Sequence, residues 1–237
     1  MICGSEVGVN DNMSPVMPYK SDYAIDIVFC VDLTAGANDL LQQFKDNCLA
    51  IIDGIYKKIE QLKGPVGIVR TRVIGFRDFV DDEAIVESPF FELPKQESEY
   101  LQMIGLLESR GGGDLPENAL EAIALALKSQ WTQEGCFRRH IICVITDAPA
   151  LDFSERKDCP GYPYGMPKDM GELTAWYQQG IGTLDLRARR FVLFAPEHHS
   201  WDTISQTWDH CVHFKLEHNE DITDYTDQLE RIICFNI

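Results

Sequence analysis

Residues 27–36 read IVFCVDLTAG, and residues 143–150 read CVITDAPA. Each is an apolar run that stops on an aspartate, Asp32 in the first and Asp147 in the second, and then opens into a loop of small residues. An apolar run bounded by loop signals describes a strand buried on both faces of a sheet. The acid then stands where the strand leaves the sheet. An Asp at that point is either a turn-former or a ligand, and two such strands in one chain make a parallel sheet the first expectation.

The pattern outward from these runs supports that expectation. YAIDIVFCVD (23–32) is the first strand. From Asn38 to about residue 62, Leu40, Leu41, Phe44, Cys48, Ile51, Ile52, Ile55 and Ile59 follow three/four spacing, which predicts a long amphipathic helix stopped by Gly64-Pro65. VGIVRTRVIGF (66–76) is a second strand, VDDEA a turn, and IVESPFFEL (85–93) a short returning strand. Pro89 confines that strand to an edge, and the short connection makes it antiparallel. Helices at 97–107 and 116–130 flank RGGGDLPE, and HIICVITD (140–147) is the next buried strand. Residues 152–167, with Pro160, Pro163 and Pro167, form a long loop. A helix at 169–180, a strand at 190–196, a helix at 200–210, a strand at 211–217 and a helix at 220–234 complete the chain. Alternating elements with apolar strands predict an α/β fold: a doubly wound, mostly parallel central sheet with one antiparallel edge strand and helices on both faces. No repeat and no linker is visible, so residues 22–237 are expected to form one domain behind an N-terminal extension, residues 1–21.

Composition narrows the function classes. The chain has 237 residues, 45% of them hydrophobic and 25% charged, as in folded soluble domains. Acidic residues outnumber basic ones 38 to 21, for a net charge of −17. That excess argues against nucleic acid or an anionic membrane as partner and permits cations and basic protein surfaces. No segment reaches the roughly 18 apolar residues of a membrane span. The first twenty residues lack the basic and apolar regions of a signal peptide. Eight scattered cysteines without a C-x-x-C pair read as reduced thiols, and a cytoplasmic location is the expectation.

In doubly wound sheets, ligands bind beyond the carboxyl ends of the strands, where the strand order reverses. Three acidic loops lie on that side: Asp32-Leu33-Thr34-Ala35-Gly36, Gly113-Asp114 and Thr146-Asp147. Arg77-Asp78 is a fourth candidate. Gathered carboxylates repel unless a cation joins them, and carboxylate and hydroxyl oxygens with waters suit Mg²⁺. This set resembles the metal-ion-dependent adhesion site of a von Willebrand factor type A domain, over about residues 22–235. That family places Asp-x-Ser/Thr-x-Ser after its first strand, a Thr in a Gly-rich loop and an Asp after a later buried strand. The matching residues are Asp32 and Thr34, Asp114 in GGGDLPENALEAI at the Thr position, and Asp147 in ITDAPA. GGGD-x-PE-x-A with ITDAP is most similar to bacterial intracellular members, some near tellurium-resistance-type and kinase- or phosphatase-linked systems. The resemblance implies metal ligands Asp32, Thr34, Asp114 and Asp147, Mg²⁺ (or Mn²⁺ or Ca²⁺) as cofactor, and a protein partner.

One departure stands out. Gly36 occupies the place of the motif's last Ser, so a hydroxyl ligand is missing, and Asp114 is a carboxylate where Thr is usual. Plainer readings stay open. Asp32 and Thr34 are also suited to capping the helix near Asn38, the Gly run to a simple turn, and Asp78 to pairing with Arg77 or Arg70. The histidines read as structural. Loop 152–167 is either a specificity element or a lid. Three functions follow: a non-enzymatic module that binds an acidic residue of a partner through its metal, a structural subunit with an inactive metal site, or a Mg²⁺-dependent phosphohydrolase with Asp32 as nucleophile. The last resembles haloacid-dehalogenase-like enzymes, but Thr34 stands where they need a second Asp, and Lys168 is the only near candidate for their Lys.

Overall fold

Seven strands form one sheet in the order β3-β2-β1-β5-β6-β7, with β4 also paired to β2, in a computed structural model that describes residues 23–61, 66–80, 83–112, 115–216 and 222. The elements are β1 (Tyr23–Asp32), α1 (Asn38–Gln61), β2 (Val66–Phe76), β3 (Ile85–Glu87), β4 (Phe91–Leu93), α2 (Glu97–Leu106), α3 (Ala119–Leu127), β5 (Phe137–Ile145), α4 (Met170–Gln179), β6 (Arg189–Ala195), α5 (His199–Thr207) and β7 (Cys211–Lys215). The expected N-terminal extension, Asp114 and, apart from Ile222, the expected final helix lie outside the described residues.

β1 is buried at all ten positions because it has a parallel neighbour on each side. Cys30 stands opposite Ile74 of β2 and Val144 of β5. Successive side chains point to opposite faces. Ile25, Ile27, Phe29 and Val31 pack with Phe44, Cys48 and Ile55 of α1. Val28 and Cys30 pack with Ile123 and Leu127 of α3 and Trp201 of α5. A continuous apolar run is therefore two alternating half-cores, and each fully buried large side chain contributes roughly 1.5–3 kcal/mol. Asp26 is the exception within β1. It has no exposed surface, and it is held by the Arg70 guanidinium at 2.8 and 2.6 Å and by the Thr132 amide at 2.6 Å.

From β1 the chain passes to β2 on one side and later returns to β5 on the other. The strand order thus reverses between β1 and β5, at the ends that carry Asp32 and Thr146-Asp147.

Three expected boundaries shift for local reasons. The edge strand at 85–93 is broken into β3 and β4, both antiparallel to β2. Pro89 has no amide to donate, and at the break the Ser88 hydroxyl accepts the Val73 N–H at 2.9 Å. α3 starts at Ala119 rather than 116, because Glu117 bridges to Ala150 and its amide bonds Pro149 O at 2.9 Å. β5 begins at Phe137 rather than 140, so its first turns of chain include Arg138 and Arg139.

Candidate functional site

Asp32 closes β1 with its side chain turned inward, 1% exposed. Its Oδ1 accepts the Thr34 N–H at 2.9 Å and the Thr34 hydroxyl at 2.7 Å. Its Oδ2 accepts the Thr146 hydroxyl at 2.6 Å, across from β5. Asp32 therefore shapes its own turn. It does not cap α1, whose entry is set by Thr34 O accepting the Ala37 amide at 3.2 Å. A carboxylate offers about four lone-pair positions, and three are taken, which leaves one on Oδ2. The Thr34 hydroxyl spends its proton on Asp32 and keeps its oxygen lone pairs for another group. Thr146 Oγ1 is more fully used, since it also accepts the Ala148 N–H at 3.1 Å.

Asp147 follows directly and is exposed. Its carboxylate lies over Gly36: a Cβ placed on Gly36 would meet Asp147 Oδ2 at 3.4 Å and Oδ1 at 4.0 Å. So the first loop and the β5 loop meet, as the paired apolar runs imply. Burial pushes the Asp32 carboxyl above its ordinary range; bonds from Thr146 and Thr34 oppose the shift, and the negative charge of Asp147 adds to it. A cation between the two carboxylates would offset the part of this shift that Asp147 contributes.

The Gly-rich stretch is built onto this loop. Arg110 N donates to Leu33 O at 2.9 Å, Ala35 N to Gly111 O at 2.9 Å, and the Ser109 hydroxyl to Thr34 O at 2.6 Å. Gly112 has φ +64°, and a Cβ there would stand 2.7 Å from Thr34 Cβ. Only glycine allows both the left-handed backbone and this approach. The run is thus a turn, and it is also one wall of the Asp32–Thr34 site. Asp114, two residues on, lies outside the described residues, so its role rests on the sequence alone. Among the described residues no three His, Cys, Asp or Glu side chains gather as a metal group. The donors here are two carboxylates and a hydroxyl, which suit a hard oxygen-seeking cation rather than a soft one.

Asp78 takes neither expected partner. Arg70 belongs to Asp26, and Arg77 donates to Glu83 O at 2.9 Å and Glu108 O at 2.6 Å. Asp78, fully buried, is held instead by Arg156 at 2.9 and 3.0 Å and by the Val80 amide at 3.1 Å. Burial works against its ionisation, but Arg156 and the backbone donors outweigh it and hold the carboxyl below its usual range. Arg156 sits in loop 152–167, which therefore packs down on the domain. The same loop sends Tyr162 onto the Phe79 ring, with centroids 5.0 Å apart, and its hydroxyl to Glu121 Oε1 of α3 at 3.0 Å. Glu121 has no exposed surface, and its burial pushes its pKa up to about 7 against the pull of Tyr162 and Asn118. Tyr164, by contrast, is 98% exposed.

Sequence reasoning placed Asp32, Thr34 and Asp147 together and missed Thr146, Ser109 and Glu117. Thr146 was visible as the hydroxyl before Asp147. Glu117 had no signal, since its Oε1 reaches Gly112 only through the fold, 3.0 Å from where a Cβ would be. The described histidines at 140 and 198 are structural: His140 stacks on Trp131 and bonds Thr132 O at 3.0 Å, and His198 caps α5. Lys168 is exposed, 4.0 Å from Asp169.

Comparison with known proteins bears on the fold. No curated protein matches the sequence. Among solved structures, the chain is similar to the pilus adhesin SpaC of Lactobacillus rhamnosus GG, at 10% identity and a TM-score of 0.53, over 88% of this chain and 30% of that one. It is also similar to proximal thread matrix protein 1 of the mussel byssus, at 9% identity and a TM-score of 0.51, over 89% of this chain and 46% of that one. The chain thus spans less than half the length of either, and at such identities the likeness is one of fold. Residues 88–159 match the family model of the von Willebrand factor A domain, a stretch that runs from the edge ribbon through the Gly-rich loop and β5 to Asp147 and Arg156. The parallel sheet, its reversal between β1 and β5 and this match over 88–159 are consistent with the α/β fold of von Willebrand factor A domains.

Proposed function

We propose that the domain is a non-enzymatic protein-binding module whose contact with its partner runs through a divalent cation at the β1–β5 edge. The observation that carries this is the meeting of Asp32, Thr34 and Asp147 where the strand order reverses, with Asp147 exposed and Asp32 braced from behind by Thr146. Thr34, Asp147 and the last lone pair of Asp32 would hold Mg²⁺ or Mn²⁺, and Asp114 would add a fourth group. The ion would supply a positive, exchangeable position that a partner's Asp or Glu fills. With Gly36 where the motif has Ser, a water would have to take the place of a fixed hydroxyl, and the site would be weaker for it. Reduced thiols and the acidic surface support a cytoplasmic setting, and a kinase- or phosphatase-linked partner is the class the sequence resemblance suggests.

A second reading has its own support. Asp32 is already satisfied by three internal hydrogen bonds, as in a structural subunit that needs no ion. Capture of partners from the native cell separates the two. The proposed function predicts a partner retained with Mg²⁺ and released by chelator and by Asp147→Ala. Retention that ignores both overturns it. Turnover of an aryl phosphate would favour the hydrolase instead.

A further inference from the structure

α3 reads ALEAIALAL (119–127), and Glu121 is its only charged residue. Ile123 and Leu127 turn to the sheet and pack with Val28 and Cys30 of β1. Two positions along a helix lead to nearly the opposite face, so Glu121 stands on the side that a surface helix shows to water. Yet eight of the nine residues of α3 are buried, and Glu121 has no exposed surface. Loop 152–167 supplies the cover. Tyr162 donates to Glu121 Oε1 at 3.0 Å, and Lys128 Nζ, past the end of α3, donates to Gly165 O at 3.4 Å. Residues 162–165 therefore lie along the helix.

The loop has two fastenings of different kinds. Near its start, Arg156 grips Asp78 at 2.9 and 3.0 Å and holds that carboxyl below its usual range, so this pin stays ionised through neutral pH. Further on, Tyr162 is the latch: burial and the nearby Glu121 push its hydroxyl up, so it remains a donor. Gly161 at φ +81° and Gly165 at φ +69° bracket Tyr162, Pro163 and Tyr164. Glycine turns cheaply in that region, and a Cβ on Gly161 would meet nothing, so no neighbour wedges the hinge. Among the described residues, the groups around Glu121 are Tyr162, Asn118 and, at longer range, Asp152, while Glu117, one turn back, lies against Gly112. The turn that carries Phe79 under Tyr162 brings the Asp78–Arg156 pair. Arg156 is the one cation among these groups, and it is engaged with Asp78.

We propose that residues 161–165 are a pH-sensitive strap, closed on α3 while Glu121 is protonated and swinging out about Gly161 and Gly165 to admit water when it ionises, with the Arg156–Asp78 pin holding the base of the loop in place. Burial raises the Glu121 pKa from 4.5 to about 7 in the closed form. The closed strap thus keeps a proton that the opened one gives up at its ordinary value. Closure is favoured in full below about 4.5, and that advantage is lost as pH rises to about 7. Opening lifts Tyr162 off the Phe79 ring and widens the adjoining cavity of about 680 Å³, lined by Phe79, Val80, Cys159 and Pro160 among others. The strap needs no ion and goes beyond the metal reading of the Asp32–Asp147 edge.

The test is amide hydrogen exchange of the full chain with chelator present, read as protection factors so that the intrinsic pH dependence of exchange drops out. The Tyr162 amide, bonded to Cys159 O at 3.3 Å, reports the strap; the Glu155 amide, bonded to Asp152 O at 3.0 Å, reports the pinned half; β5 reports the core. Tyr162 protection should fall at least about tenfold between about pH 5 and pH 8. It should lie below that of β5 throughout and ignore low urea, as a local opening does. Glu155 should change less than Tyr162. In Glu121→Gln, which keeps the acceptor for Tyr162 but cannot ionise, Tyr162 protection should be flat with pH. Flat Tyr162 protection in the wild type overturns the strap, whatever the variant does. So does a pH-dependent fall that persists in Glu121→Gln, or Tyr162 protection equal to that of β5, which would mean that the segment opens only when the whole domain unfolds.

Discussion

Glu121→Gln should stabilise the domain at neutral and alkaline pH. Glu121 sits fully buried on α3 with its Oε1 accepting the Tyr162 hydroxyl at 3.0 Å, and burial raises its pKa from 4.5 to about 7. Between those values the folded protein keeps a proton that the unfolded chain has released. Its contribution to stability is therefore present in full below about 4.5 and is lost as pH rises to about 7. A shift of that size is worth about 3 kcal/mol, at about 1.4 kcal/mol per pH unit. Glutamine fits the same space, still accepts from Tyr162 and never ionises. Urea unfolding of both proteins, with chelator so that the Asp32–Asp147 edge stays constant, gives the difference curve. Glu121→Gln should match the wild type within about 1 kcal/mol near pH 4.5 and exceed it by up to about 3 kcal/mol near pH 8. Parallel curves, or a variant less stable at pH 8, would show that Glu121 is not the buried, proton-holding group described.

Arg156→Ala should cost about 3–5 kcal/mol in urea unfolding, because it leaves Asp78 buried and unpaired, and should speed proteolytic cleavage within 152–167. Adding Asp78→Asn should return part of that loss. The wild-type contribution of this pair should fade as pH drops below the ordinary carboxylate range, since Arg156 holds Asp78 ionised to lower pH. Gly36→Ser should fold normally, within about 0.5 kcal/mol of the wild type, because the backbone there is not left-handed and the new Cβ meets Asp147 only at 3.4 Å. It should bind Mg²⁺ more tightly in calorimetry by returning a fixed hydroxyl to the loop, and unchanged or weaker binding would remove Gly36 from the site.

Much of the fold could be read because its signals are local. β1 and β2 begin and end where their apolar runs do, and the turn signals at 33–36 and 64–65 sit beside them. Asp32, Thr34 and Asp147 were legible for the same reason: each ends or follows a buried run, and parallel strands bring such ends together. The parts that were not legible depend on partners far apart in sequence. Asp78 finds Arg156 at a separation of 78 residues, and Glu121 finds Tyr162 across 41. Neither pair has a spacing rule, so Arg77 and Arg70 were the nearer guesses. The starts of β5 and β6 were hidden because charged residues read as a boundary, whereas Arg139, Arg189 and Arg190 are buried within their strands.

Calorimetric titration of Mg²⁺ into the wild type and Asp147→Ala tests the account most directly. Asp147 is exposed, so the variant should fold as the wild type does, and any lost heat reports the site rather than the scaffold. The account predicts one saturable ion per chain, a matching rise in melting temperature, and the loss of both in Asp147→Ala. A wild type that gives no heat, or a variant that binds as well as the wild type, would contradict it and leave the β1–β5 edge as a structural hinge of hydroxyls and carboxylates.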